Sequence, residues 1–161
     1  MDPVVTRDHL ARLFAEEAAV LGRLETLLEG EHGLLASRDV DGLEAASRER
    51  QGGIGALLRV QSERNAFCRM LGFEEDQVGL GKLLAWCDPD HALRASWEDC
   101  AARAGRCRAL NDRNGVLANA QLRRVSGFLG ALTGAPKQAG TYSPSAAARP
   151  LPTGQLLAAK A

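Results

Sequence analysis

A seven-residue repeat that runs unbroken from Leu93 to Leu132 is the feature that most constrains how this chain can fold. It advances in alternating steps of four and three residues, which is typical of one long helix packed lengthwise against other helices. Two of its middle positions are asparagines, and a buried amide must find hydrogen-bond partners. The members of the repeat are Leu93, Trp97, Cys100, Ala104, Cys107, Asn111, Asn114, Ala118, Gln121, Val125, Phe128 and Leu132.

Two interpretations of the segment Asn111, Asn114 and Gly115 remain open at this point. In the first, the asparagines hydrogen-bond across a bundle and fix the register of the helices, as polar seam residues can. In the second, the apolar stripe that follows Gly115 is partly vacant and binds a helix of a partner. Gly115 costs a helix roughly 1 kcal/mol relative to alanine, so we expect close packing or a local bend there. The residues of this stripe are Val116, Leu117, Leu122, Val125, Phe128, Leu129 and Leu132.

Composition favours a thin helical bundle over a deep globular core. The hydrophobic share of the 161 residues is 45%, but the aromatic share is only 4%, and the apolar residues are mostly leucine and alanine at helical spacing. Twenty basic and twenty acidic residues cancel, so the overall charge indicates neither nucleic acid nor an anionic membrane as a partner. The sequence predicts an all-α protein, an elongated antiparallel bundle of three long helices plus a short connecting helix.

The first two long helices can be placed from their apolar columns and caps. Thr6 is the predicted N-cap of the first helix, which ends near Ser37. One of its apolar columns, which contains Leu10 and Leu24, is interrupted by Glu17 and Glu31. The second helix runs from about Val40 to Leu71. Glycines near its middle predict a kink or a frayed zone there, at Gly52, Gly53 and Gly55.

A short connecting helix is predicted over residues 74–87, with Leu80, Leu83, Leu84 and Trp86 facing inward. Asp90 is the predicted cap of the third long helix. We expect residues 1–133 to form the bundle domain. Residues 134–161 are small, proline-dotted and poor in large apolar residues, so we expect a flexible, mostly disordered tail.

The sequence contains few residue patterns that are typical of catalytic or metal-binding sites. The three histidines are far apart in the sequence, and only Cys87 and His91 approach the spacing of metal ligands, with Asp88 and Pro89 between them. We therefore predict no catalytic residues, no metal, no cofactor and no enzymatic activity. The four cysteines form no close pair, and the sequence opens without a signal-peptide pattern, which favours a reduced cytoplasmic protein. No transmembrane segment is predicted, so direct membrane insertion is not expected.

The segment around the two asparagines resembles a known family motif. Residues 110–117 read Leu-Asn-Asp-Arg-Asn-Gly-Val-Leu, which is similar to the Asn-x-x-Asn-Gly motif of FlgN-type flagellar export chaperones. Upstream, the residues from Arg64 to Gly72 resemble the end of an earlier helix in that family. Downstream, the tail keeps the tyrosine of the family pattern, Tyr142, but not the glycines that usually follow it.

The resemblance implies a bacterial cytoplasmic chaperone. Such proteins bind the helical ends of the hook-filament junction proteins FlgK and FlgL, keep them unassembled and deliver them to the type III export gate. It further implies that Tyr142 docks to the gate protein FlhA. From its apolar pattern, we predict that the stripe after Gly115 binds the client. The alternative is a structural coiled-coil adaptor or a self-associating helical dimer whose seam packs against a second copy of the chain. Stability without a client would distinguish the two.

Overall fold

The computed structural model describes residues 2–132, which form three long helices and one short helix. Helix α1 spans Pro3–Ser37, α2 spans Val40–Met70, α3 spans Gln77–Cys87 and α4 spans Arg94–Leu132. The predicted all-α architecture is confirmed. None of the four helices is long and apolar enough to cross a bilayer. The predicted tail over residues 134–161 lies outside the described residues.

The first helix begins earlier than the sequence predicts. Asp2, and not Thr6, is the N-cap of α1, because its carboxylate accepts the backbone N–H of Val4 at 2.9 Å. Pro3 suits the first helical position since its missing N–H has no partner there anyway. Thr6 is buried in the first turn and its hydroxyl donates to the carbonyl of Asp2 at 3.0 Å. The hydroxyl is thus used inside the helix rather than at its end.

The second helix is continuous through its glycines. Asp39 caps α2 by accepting the N–H of Gly42 at 3.0 Å, and no frayed zone interrupts the helix. Gly53 packs closely against α1, because an added Cβ would lie 2.6 Å from a methyl group of Leu24, which would have to move. The helix ends at Leu71 and Gly72, where Gly72 adopts a left-handed φ of 81°.

The connection to α4 follows the prediction with two differences. The predicted leucines of α3 are buried, but Trp86 is 44% exposed and its ring lies 6.4 Å from that of Phe73. The turn into α4 is fixed by Asp88 rather than Asp90. The buried Asp88 carboxylate accepts the N–H groups of Ala92 at 3.1 Å and Leu93 at 2.8 Å. Because Asp88 is buried, its hydrogen bonds are stronger than those that the exposed Asp90 could make as a cap.

Helix α1 is the central element of the bundle. It packs against α2 on one side and against α4 on the other, and within residues 2–132 no Cα atom of α2 comes within 8 Å of one in α4. The core accordingly follows α1, with Leu10, Phe14 and Leu21 fully buried. One end of this arrangement is left open, because α4 continues after α1 has ended.

Two buried ion pairs fix the antiparallel register of α1 and α2. Glu17 accepts from Arg64 at 2.6 Å and from Gln61 at 3.2 Å, while Glu31 accepts from Arg50 at 3.0 Å. The acidic residues are fourteen apart on α1, and the arginines are fourteen apart on α2 in the opposite direction. Glu17 and Glu31, which interrupt the apolar column of α1, are therefore the residues that form ion pairs with α2.

Candidate functional site

A ladder of hydrogen bonds joins α4 to α1 along the predicted seam. At every seventh residue, an α4 side chain donates to a backbone carbonyl of α1, and the two residue numbers differ by the same 86 each time. A constant difference means that the two helices run parallel and in register. The rungs are Cys100 to Phe14 at 3.4 Å, Cys107 to Leu21 at 3.6 Å, Asn114 to Leu28 at 2.7 Å and Gln121 to Leu35.

The two lower rungs depend on protonated thiols. Burial raises the pKa of Cys100 to about 11 and also raises the pKa of Cys107. Both thiols therefore keep the proton that they donate to α1 at neutral pH. Cysteine is also small, so α1 and α4 can approach closely at these positions.

Asn114 is the most completely satisfied polar residue of the ladder. It is 3% exposed, and its amide nitrogen donates to the carbonyl of Leu28. Its amide oxygen lies 3.2 Å from Nδ1 of His32, and since that oxygen can only accept, the ring nitrogen is the donor. Asn114 thus hydrogen-bonds across the bundle, as proposed in the first of the two interpretations of the asparagine segment. Asn111, one turn earlier, is half-buried.

Gly115 does not serve close packing. It is exposed, and a Cβ added to it would meet no atom within 4 Å. Helix α4 is also continuous through this position. The expectation of close packing at Gly115 is therefore wrong, and nothing in the structure explains the glycine.

Beyond the rung at Gln121, the seam of α4 no longer packs against α1. We call the seven predicted residues Val116, Leu117, Leu122, Val125, Phe128, Leu129 and Leu132 the α4 stripe. Leu117 is half-buried, and the other six are more than half exposed, with Phe128 at 66%. For the residues after Gln121 the cause is the position at which α1 ends, since Ser37 lies close to the rung at Gln121. The eleven residues of α4 after Gln121 extend about 17 Å past this rung.

A groove of about 330 Å³ lies where α1 ends against α4. Its apolar wall belongs to the α4 stripe, while two arginines and a glutamine supply its polar groups. The lining residues are Arg38, Gln121, Arg124, Val125, Phe128 and Leu129. Arg38 is the C-cap of α1 and has a left-handed φ of 59°. Sequence analysis missed Arg38 and Arg124, because only the register between α1 and α4 brings these two residues together.

This region combines an exposed apolar wall with two arginines. Among residues 2–132, no group of three or more histidine, cysteine or acidic side chains is placed to hold a metal ion. Cys87 is buried, whereas His91 is exposed beyond the end of α3. Tyr142, the predicted docking residue, lies outside the described part of the chain.

Comparison with known proteins identifies the family. A family model described as FlgN protein matches residues 1–150, which is most of the chain. No curated protein and no solved structure matches at a significant level. FlgN is a family of chaperones and not of enzymes. The chain therefore belongs to the FlgN family of flagellar export chaperones.

Proposed function

We propose that this protein is a bacterial cytoplasmic chaperone that uses the α4 stripe to bind the helical ends of FlgK and FlgL. Binding keeps these junction proteins unassembled until they are delivered to the type III export gate. The observation that carries the proposal is the mostly exposed apolar stripe of α4, three of whose residues, Val125, Phe128 and Leu132, continue the register of a packed seam.

Register continuity explains why the partner should be a helix. Phe128 occupies the same seven-residue position as Cys100 and Cys107, which pack against α1. Val125 and Leu132 continue the second column of the seam, that of Trp97 and Ala104. A client helix would supply the surface that α1 stops providing after Ser37. Binding of an amphipathic helix to such a face is a common recognition mode. Contiguous apolar surface is rare on monomers unless it has an interaction to make.

A second copy of the chain is the competing partner for the same stripe. Two stripes packed together would make a structural dimer without an export role. Sedimentation of the full chain without client distinguishes the candidates. A chaperone stays monomeric at micromolar concentrations, whereas a self-satisfied dimer shows twice the mass and a melting temperature that rises with concentration.

The direct test is calorimetric titration of the full chain with C-terminal fragments of FlgK and FlgL. We expect dissociation constants in the micromolar range or tighter for at least one fragment, with a negative heat-capacity change from burial of apolar surface. An amphipathic helix of equal length from an unrelated protein serves as the control. If neither fragment binds at micromolar concentrations, the proposed function is wrong.

We propose a separate role for Tyr142, which is docking to FlhA. It is the only tyrosine of the chain and stands ten residues after Leu132, so in sequence it is separate from the α4 stripe. Tyr142→Ala should weaken binding to FlhA and reduce motility while client affinity and melting temperature stay unchanged. Normal FlhA binding by this variant would show that the tyrosine has no part in docking.

A further inference from the structure

We infer that the groove at the end of α1 receives the first turn of an amphipathic client helix, and that Arg38 and Arg124 bind carboxylates in this turn. The client helix then lies in line with α1 and parallel to α4. This inference rests on the proposed function and specifies the chemistry and the direction of the client.

The charges around the groove favour an acidic partner. Both arginines are exposed, and no acidic side chain of residues 2–132 lines the groove. Within the described residues, neither guanidinium is part of an ion pair with a carboxylate. Asp39, the carboxylate nearest to Arg38 in sequence, accepts the N–H of Gly42 as the cap of α2. The groove thus presents two positive charges beside an apolar wall.

Other arginines on α4 show the contrast. Arg94 pairs with Glu98 at 2.8 Å, and Arg103 pairs with Asp99 at 2.7 Å. Both are satisfied within the protein and lie toward the packed end of the helix. Within residues 2–132, Arg38 and Arg124 have no such carboxylate partner. Their guanidinium groups are therefore available to a ligand.

The direction of the client follows from where carboxylates occur in helices. Aspartate and glutamate are favoured in the first turn, where they interact with the positive end of the helix dipole. A client whose first turn lies at Arg38 brings such carboxylates to the groove. Its N-terminal end then also faces the negative C-terminal end of α1, which is the favourable arrangement of two dipoles in line.

The remaining stripe sets the length of the contact. About 17 Å of α4 after Gln121 corresponds to roughly three turns of a client helix. The apolar residues of the client should follow its acidic turn at steps of three and four, so that they meet Val125, Phe128 and Leu132 in turn.

Two synthetic helices of about twenty residues test this inference, a length at which isolated helices begin to form. They share one composition and one apolar face, but one carries two glutamates in its first turn and the other carries them in its last turn. Fluorescence anisotropy measures their affinity for the full chain, beside that of the FlgK and FlgL fragments. We expect the helix with acidic residues first to bind about three- to ten-fold more tightly, as two exposed charge pairs allow.

Charge-removing variants identify the groups responsible. Arg38→Asn keeps a residue that tolerates the left-handed backbone, and Arg124→Gln keeps a good helix former. Each should reduce the preference between the two peptides by about half or more, and added salt should reduce it in the wild type. The matched control is Arg94→Gln, on the same helix but about 45 Å away, which should keep the full preference.

The outcomes separate this inference from the proposed function. If the junction-protein fragments bind but the two peptides bind equally well, or if Arg94→Gln acts like the groove variants, the inference is wrong and the proposed function stands. If neither the fragments nor the peptides bind the full chain, the proposed function fails as well. That result is expected if a second copy or residues 133–161 already occupy the groove.

Discussion

Removing the Asn114 side chain tests whether the ladder between α1 and α4 stabilises the fold. Asn114→Ala deletes the 2.7 Å hydrogen bond to Leu28 and the partner of His32. The first loss is worth about 0.5–1.5 kcal/mol. The carbonyl of Leu28 keeps its bond within α1, and His32 is only half-buried, so neither group is left fully unsatisfied. A small cavity adds roughly 1 kcal/mol, because Asn114 is buried.

One term acts in the opposite direction. Alanine is the better helix former by about 0.6 kcal/mol, which stabilises any Asn→Ala variant on a helix surface. Asn119→Ala is the matched control, since Asn119 is exposed on the same helix. We expect Asn119→Ala to be neutral or slightly stabilising and Asn114→Ala to lower the free energy of unfolding by about 1–2 kcal/mol.

Urea denaturation followed by circular dichroism provides the measurement, with the free energies compared at equal m-values. If Asn114→Ala and Asn119→Ala agree within about 0.5 kcal/mol, the hydrogen bonds of Asn114 do not stabilise the bundle. The register argument would then rest on apolar packing alone. A changed m-value would instead indicate that the compactness of one state has changed.

Three further predictions follow from burial and charge. Phe128→Ala should weaken client binding by about 1–2 kcal/mol and barely lower the melting temperature, because the ring of Phe128 is 66% exposed. Phe14→Ala should lower the free energy of unfolding by about 3–5 kcal/mol, because the ring of Phe14 is fully buried. Glu17→Leu should destabilise the fold by about 3 kcal/mol by leaving Arg64 unpaired, and adding Arg64→Leu should recover part of this loss in a double-mutant cycle. Since the folded state raises the pKa of Cys100 to about 11, stability should be constant below the ordinary thiol pKa of about 8.5 and fall between these values, less steeply in Cys100→Ser.

Each of these predictions has a contradicting result. Equal losses of stability in the two phenylalanine variants would show that Phe128 belongs to a core. Additive losses in the Glu17 and Arg64 cycle would show that the two side chains do not interact. An unchanged alkaline slope in Cys100→Ser would show that this thiol ionises as easily in the folded state as in the unfolded one.

The seam of α4 is the part of the fold that could be predicted best. Its seven-residue register placed Cys100, Cys107 and Asn114 on one face, and all three are buried against α1. The same register could not show that the stripe after Gly115 is exposed. Exposure there depends on where α1 stops, and the sequence pattern of α4 contains no information about the length of its partner.

The pairing between helices is the main feature that could not be predicted from the sequence. Glu17 and Glu31 read as defects in an apolar column, because their arginine partners on α2 can be identified only after the register of α1 and α2 is known. Choices between neighbouring caps failed for a related reason. Asp88 and Asp90 are equivalent in sequence, and only the tertiary fold buries the first.

Hydrogen–deuterium exchange of the full chain, with and without a C-terminal fragment of FlgK or FlgL, tests the central claim most directly. A client helix seated on the α4 stripe should slow amide exchange in residues 116–132, where most of the apolar side chains are exposed in the free protein, and leave α2 unchanged. Bound client that slows exchange in α2 and not in residues 116–132 would contradict the proposed site.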